Sequence, residues 1–267
     1  MEFGEIFKDA LKYPLSNPQM LLMIGVLFLI ASLVAVLAQF GVYNNTFSLI
    51  WSIIALIILL IIIGYSISVI KNGIELNDEI PAFNLAENFV NGIKAIVVAF
   101  IYMIIPTIIC GIIGTLSMGP ALSRIFSPAN INQIANSTTT VDIFVRSIPA
   151  EVWSGFFAGI TVTVIVAVIL FIIFGIFEEI AICRLAKYDS IGEAFSFGKI
   201  FDDVKKIGFL KMIAFLIVLS IISFVLAFIV AIITAIPFIG LIIACLVGNS
   251  FIFLFANRSL GLLYSDI

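Results

Sequence analysis

The chain has 267 residues, 63% hydrophobic and 11% charged, with 13 Lys+Arg against 16 Asp+Glu, a net charge of −3 and no His. A soluble domain carries about 25% charged residues, so this chain has too few charges to solvate a globule of its size, and its natural solvent is lipid. Mild acidity argues against nucleic acid, which needs a concentrated basic face, and the lack of His removes the commonest metal ligand and the usual general base near neutral pH.

Residues 1–13 mix Glu2, Glu5 and Asp9 with Lys8 and Lys12 and show no small-residue cleavage site, so the first apolar run is expected to stay as an anchor rather than leave as a signal peptide. IFKDALK, residues 6–12, is amphipathic at helical spacing. Phe3, Ile6, Phe7, Ala10 and Leu11 fall on one face, and Glu2, Glu5, Lys8, Asp9 and Lys12 on the other. Two similar phrases follow. NFVNGIK, at 88–94, sets Ala86, Phe89, Val90 and Ile93 against Glu87, Asn88, Asn91 and Lys94. IFDDVKK, at 200–206, sets Phe197, Ile200, Phe201, Val204 and Ile207 against Asp202, Asp203, Lys205 and Lys206. Each phrase leads into a long apolar run. Each is therefore expected to lie in the membrane interface, its apolar face in the acyl boundary and its closing lysine reaching the headgroups.

Crossing a hydrocarbon core of about 30 Å takes about 20 apolar residues in a helix. Six runs qualify, at about 20–40, 49–70, 95–118, 155–178, 209–235 and 239–257. All must be helical, because lipid offers no partners for bare backbone groups. The last two are separated by Pro237-Phe238, which predicts a tight hairpin. Lys and Arg accumulate on the cytoplasmic side. With the N-terminus inside, 11 of the 13 basic residues fall on that side and only Arg124 and Arg146 outside, so both termini are expected to be cytoplasmic. The outer segment at about 119–154, rich in Asn, Ser and Thr, reads as an exposed loop; Asn136 there and Asn44 earlier stand in glycosylation sequons.

The expected architecture is thus an all-α integral membrane domain over 1–267. Its six transmembrane helices form three parallel hairpin repeats, each preceded by a cytoplasmic interfacial amphipathic helix. Repeat 1 covers about 1–73, repeat 2 about 82–187 and repeat 3 about 190–267. Each return span ends in one basic residue, Lys71, Arg184 or Arg258, and like-oriented repeats imply an approximate threefold axis along the membrane normal. Small residues every four positions predict how each hairpin closes. Ala227, Ala231 and Ala235 would meet Gly248, Ala244 and Gly240, and Thr107, Gly111 and Thr115 would meet Gly155, Gly159, Thr163 and Ala167.

No catalytic motif is present, and no acidic or basic residue lies near the centre of a span. The residues with most chemical potential are polar groups near the inner boundary. Glu178 and Glu179 form a carboxylate pair able to bind a cation or to salt-bridge Lys71, Arg184 or Arg258. Asn249 is the most polar group at depth, and Tyr65 and Tyr264 read as interface anchors. Cys110, Cys183 and Cys245 have no metal-ligand spacing and read as inert thiols. No catalytic, cofactor or metal residue is assigned, and no cofactor is expected.

The opening FGEIFKDALKYPLSNPQML, the stretch SVIKNGIELNDEIPAFNLAENFVNGIKAIVV with its DEIPAF loop, and the terminal FANRSLGLLY together resemble an uncharacterised family of multipass proteins seen largely in archaea, domain of unknown function 4013. The resemblance implies a cell-membrane protein of about six spans and carries no activity to transfer. The expected function is a non-enzymatic module that binds membrane lipids or partner proteins, itself included, and organises the bilayer, with no nucleic acid involved. The alternative is a permease or channel for a small neutral or lipidic substrate.

Overall fold

The computed structural model describes residues 1–16, 18–42, 44–136 and 141–267. It is 87% helical, with no strand among the described residues. The helices in chain order are α1 (Phe3–Ser16), α2 (Pro18–Ala31), α3 (Leu33–Gln39), α4 (Asn45–Ile74), α5 (Leu85–Ile125), α6 (Pro128–Asn136) and α7 (Val141–Ser147). They continue with α8 (Ala150–Tyr188), α9 (Ile191–Ala194), α10 (Phe197–Ile207), α11 (Phe209–Thr234), α12 (Gly240–Ile243) and α13 (Ser250–Tyr264); a π-turn over Ala244–Asn249 joins the last two.

Five helices are long and apolar enough to cross a membrane: α4, α5, α8, α11 and the 25-residue run Gly240–Tyr264. The most apolar is α11, with mean hydropathy 3.3 over a stretch none of which is buried in the protein. Leu210 is 80% exposed, Phe224 71%, and Leu116 on α5 73%. Water would not tolerate so much contiguous bare apolar surface, whereas acyl chains are its natural cover. The inside is correspondingly polar in places: Arg258, Asp203, Arg184, Asn88 and Asn91 are all buried. These helices fit a membrane protein.

The sixth expected span, 20–40, is two pieces, α2 and α3. They break only at Ser32, across which the backbone ladder continues, Ser32 N donating to Phe28 O (3.0 Å) and Val36 N to Ser32 O (3.1 Å). Upstream, α1 meets α2 at 84°.

The amphipathic phrases depart from expectation. First and third form separate helices, α1 and α10; the second is the first turns of the 41-residue α5. Nor do their apolar faces simply meet lipid. Ile6, Phe7 and Ala10 are buried in protein, Phe7 stacking on Phe215 of α11 (5.2 Å) and tilting against Phe255 of α13 (6.3 Å). On α10, Ile200 and Val204 are buried while Phe197 and Phe201 are exposed. In the second phrase the expectation is inverted. Val90 and Ile93 are exposed, and the polar-face residues Asn88 and Asn91 are buried, because Gly64 of α4 and Gly92 of α5 let the two backbones touch. A Cβ on Gly64 would lie 1.6 Å from Asn88 O, and one on Gly92 1.9 Å from Leu60 O.

The described residues divide into two compact units, 1–99 with 176–267, and 100–175. In the second unit the outer segment is largely helical rather than an open loop. Its α6 and α7 form because apolar residues recur at helical spacing, and the unit has a small core of Ala121, Ile125, Ile148 and Val152. Asn130 Nδ2 caps the end of α5 by donating to Arg124 O (3.0 Å) and Ile125 O (3.1 Å). The Asn136 sequon runs into residues outside those described. The Asn44 side chain serves as N-cap of α4, accepting from Thr46 N (2.9 Å) and Phe47 N (3.1 Å).

Helix pairs close on small residues, but on other faces than period-four spacing suggested. Ala227, Ala231 and Ala235 are exposed; Gly240 packs on Ile233 O and Thr234, and Gly248 on the Val230 side chain. In the second unit Gly159 and Thr163 do lie at the contact. They meet Gly114, Ser117 and Met118, Ser117 Oγ sharing a hydrogen bond with Thr163 Oγ1 (3.1 Å), while Gly111 and Gly155 face open space. A four-residue repeat drifts around an α-helix of 3.6 residues per turn, so it marks a family of faces, and the bulk of neighbouring side chains selects among them.

Candidate functional site

The buried charges gather at one end of the first unit, in two nodes built alike. In the first, Arg258 on α13 is 1% exposed. Its Nε donates to Asp9 of α1 (2.9 Å), Nη2 to Asp78 (2.8 Å), and Nη1 to the carbonyls of Asn77 (2.5 Å) and Asn72 (3.2 Å). The guanidinium lies over the Tyr13 ring, 4.7 Å from its centroid. One residue thus ties α1, the end of α4 and the DEIPAF loop to α13. That loop is held further by Tyr13 OH donating to Glu79 O (3.2 Å), Asn72 Nδ2 to the same oxygen (2.6 Å) and Tyr65 OH to Pro81 O (2.7 Å); Ile80 plugs into the core beside Tyr13, Tyr65 and Leu254.

In the second node Arg184 on α8 is buried. Its Nη1 donates to Asp203 of α10 (2.5 Å), and its Nη2 to Glu193 of α9. Asp203 also accepts from Tyr264 OH of α13 (2.6 Å), so α8, α10 and α13 meet on one carboxylate. Lys199 Nζ bonds Glu193 from outside (2.7 Å). These bonds, Lys199 first and Arg184 next, hold the Glu193 carboxyl below the usual carboxylate range. A depressed folded-state value stabilises at pH above the ordinary carboxylate pKa and is lost as pH falls through the folded value. Lys199→Gln should therefore lower the unfolding midpoint at neutral pH, and the gap to the wild type should close on acidification or at high salt. A gap that widens toward low pH contradicts the assignment.

The expected site residues separate on this frame. Arg184 and Arg258 centre the two nodes, and Tyr65 and Tyr264 are fully buried parts of them, not interface anchors. Glu178 and Glu179, half-buried on α8, make no ion pair among the described residues. They stand six and five residues before Arg184, about 8 Å along the helix, while acids on α1 and α10 reach the arginines directly. Lys71 is exposed, and Asn249, half-buried where the π-turn ends, makes no side-chain hydrogen bond among the described residues. Cys183 and Cys245 are buried. Among the described residues no three His, Cys, Asp or Glu side chains stand close enough to hold a metal ion.

Asp9 and Asp203 were read as polar-face residues and the DEIPAF loop only as part of a resemblance, yet a signal for their place in the nodes existed. Both acids occupy the i+3 position of an otherwise apolar stripe, in Ile6-Asp9-Ala10-Tyr13 and Ile200-Asp203-Val204-Ile207, at i, i+3, i+4, i+7 spacing. A carboxylate inside a buried stripe needs a cation, and the two arginines closing return spans were the available ones.

No curated protein and no solved structure matches the chain. A family described as "Protein of unknown function (DUF4013)" matches residues 47–235, from the start of α4 to the end of α11. That stretch holds the DEIPAF loop, Arg184, Glu193 and Asp203, and it is most of the chain: the protein belongs to the DUF4013 family.

Proposed function

We propose that this is a six-span protein of the cell membrane, built from three like-oriented hairpins with both termini cytoplasmic, and that it acts without catalysis as a lipid- or partner-binding module organising the bilayer. Supporting the sixth span, α2 starts beside the Tyr13 and Arg258 node, and the chain after α3 reaches Phe40, whose ring lies 5.1 Å from that of Phe238 in the turn between α11 and α12. α2–α3 therefore runs the same distance as its spanning neighbours. Supporting the repeats, each return helix packs on the lead-in segment of the next: α4 on α5 through Gly64 and Asn88, α8 on α10 through Arg184 and Asp203, α13 on α1 through Arg258 and Asp9. The buried stripe is equivalent in all three, with Asp9, Asn91 and Asp203 at its i+3 position. After the first two basic closers the chain turns at a residue of positive φ, Leu76 (54°) and Asp189 (46°), each five residues on.

The observation that carries the organising role is the pair of arginine nodes. They fix α1 and α10 rigidly across the feet of the spans, so both helices press on one leaflet as a single body, self-association adding copies of the same wedge. The rival permease reading draws on the unpaired Glu178 and Glu179. Purified protein reconstituted in liposomes separates the two. Reshaped vesicles without solute flux support the module; flux abolished by Glu178→Gln with Glu179→Gln contradicts it.

A further inference from the structure

Several lysines at the charged end have an acidic or aromatic partner inside the protein: Lys94 pairs with Asp189 (2.9 Å), Lys199 with Glu193 (2.7 Å), Lys206 with Asp203 (3.4 Å), and Lys187 lies over Tyr264. Lys205 and Lys211 have aromatic contacts alone and share one elbow. Among the described residues neither has a carboxylate within ion-pair distance, and both are exposed. Each is instead held against a phenylalanine, Lys205 Nζ 4.4 Å from the Phe201 ring centre and Lys211 Nζ 6.0 Å from that of Phe3. They flank Gly208, whose φ of 95° turns α10 into α11. Around this elbow Phe201 is 48% exposed, Phe209 41% and Leu210 80%.

We propose that the elbow between α10 and α11 is a headgroup site for an anionic phospholipid, with Lys205 and Lys211 on the phosphate and Phe201, Phe209 and Leu210 among the first methylenes of its chains. α11 is the most apolar span, and it begins at Phe209, so the water–lipid boundary falls at the elbow. Two cations without acidic partners face the phosphates there, and ammonium groups on apolar stems extend to that depth. Asp203, which would oppose an anion, is turned inward onto Arg184 and Tyr264; Asp202 is the remaining acid of α10 on the surface. The site rests on the lipid-binding function proposed for the protein and names the lipid.

The test is native mass spectrometry of the intact protein released from nanodiscs of phosphatidylglycerol and phosphatidylcholine. The wild type is expected to retain phosphatidylglycerol preferentially, and Lys205→Gln with Lys211→Gln to lower that retention roughly fivefold per lysine. Lys205→Arg with Lys211→Arg should keep it, and Lys8→Gln with Lys12→Gln should leave it unchanged. Equal retention of the two lipids by the wild type overturns the site, as does undiminished retention by the glutamine pair. Should that pair fail to fold, salt decides on the wild type: retention that falls with added NaCl supports the site, and salt-independent retention overturns it. Vesicle shape is a separate readout, so phosphatidylglycerol can be retained by a protein that deforms nothing, and the two failures remain distinguishable.

Discussion

Asp203→Ala is expected to cost about 3–5 kcal/mol of stability, the range for removing one partner of a buried ion pair. The carboxylate is 5% exposed and accepts from Arg184, Tyr264 and Lys206. Without it the Arg184 cation, itself 5% exposed, keeps Glu193 as its one acidic partner among the described residues, and the Tyr264 hydroxyl loses its buried acceptor. The neighbouring Asp202→Ala is the control, because Asp202 is exposed; it should change stability by less than about 0.5 kcal/mol. Thermal unfolding in detergent reads both. Arg184→Met combined with Asp203→Leu should recover much of the loss, since an apolar pair of similar volume can replace a buried ion pair. Equal effects of Asp202→Ala and Asp203→Ala would mean that the buried carboxylate is misassigned.

Gly64→Leu should also be strongly damaging, by a different mechanism. A Cβ at this position would sit 1.6 Å from Asn88 O and 2.7 Å from Gly92 N, so α4 and α5 must separate to accept any side chain. Helices in lipid associate by close packing rather than by expelling water, so separation forfeits the contact and exposes the buried amides of Asn88 and Asn91. Overpacking typically costs about 1–3 kcal/mol and occasionally more. The upper end is expected because the obstacle is backbone, which cannot rotate away. Gly111→Leu provides the comparison, since nothing lies within 4 Å of its added Cβ. Folded yield and unfolding midpoint should fall sharply for the first and stay near wild type for the second.

Both sites show what the sequence could and could not reveal. Lipid solvation and most span positions were legible, because they depend on composition over 20-residue windows and on no partner. That residues 3–12, 86–94 and 197–207 are helical was legible from their spacing. Which way each faced was not. Phe197 and Phe201 meet the surroundings and Val204 meets protein, although all three share one apolar stripe. Asn88 and Asn91 are buried because Gly64, 24 residues before Asn88, brings a second backbone against them. Such choices lie in tertiary contacts that single-helix periodicity does not encode. The arginine nodes were half visible: the basic closers stood out, but their acids were assigned to a solvated face. The extra helices α6 and α7 were hidden by a polar composition that suits loops and short helices equally.

If α2–α3 crosses the bilayer, as proposed, three hairpins start and end on one side. The direct measurement is labelling by a membrane-impermeant thiol reagent on sealed cells, with Cys110, Cys183 and Cys245 replaced by alanine and single cysteines introduced by Lys8→Cys, Asn44→Cys, Asn77→Cys and Lys199→Cys. The cysteine at 44 alone should be labelled from outside, and those at 8, 77 and 199 should react only after the membrane is opened. Labelling of positions 8 and 44 from the same side would make α2–α3 a re-entrant segment, leave five spans, and contradict the threefold repeat.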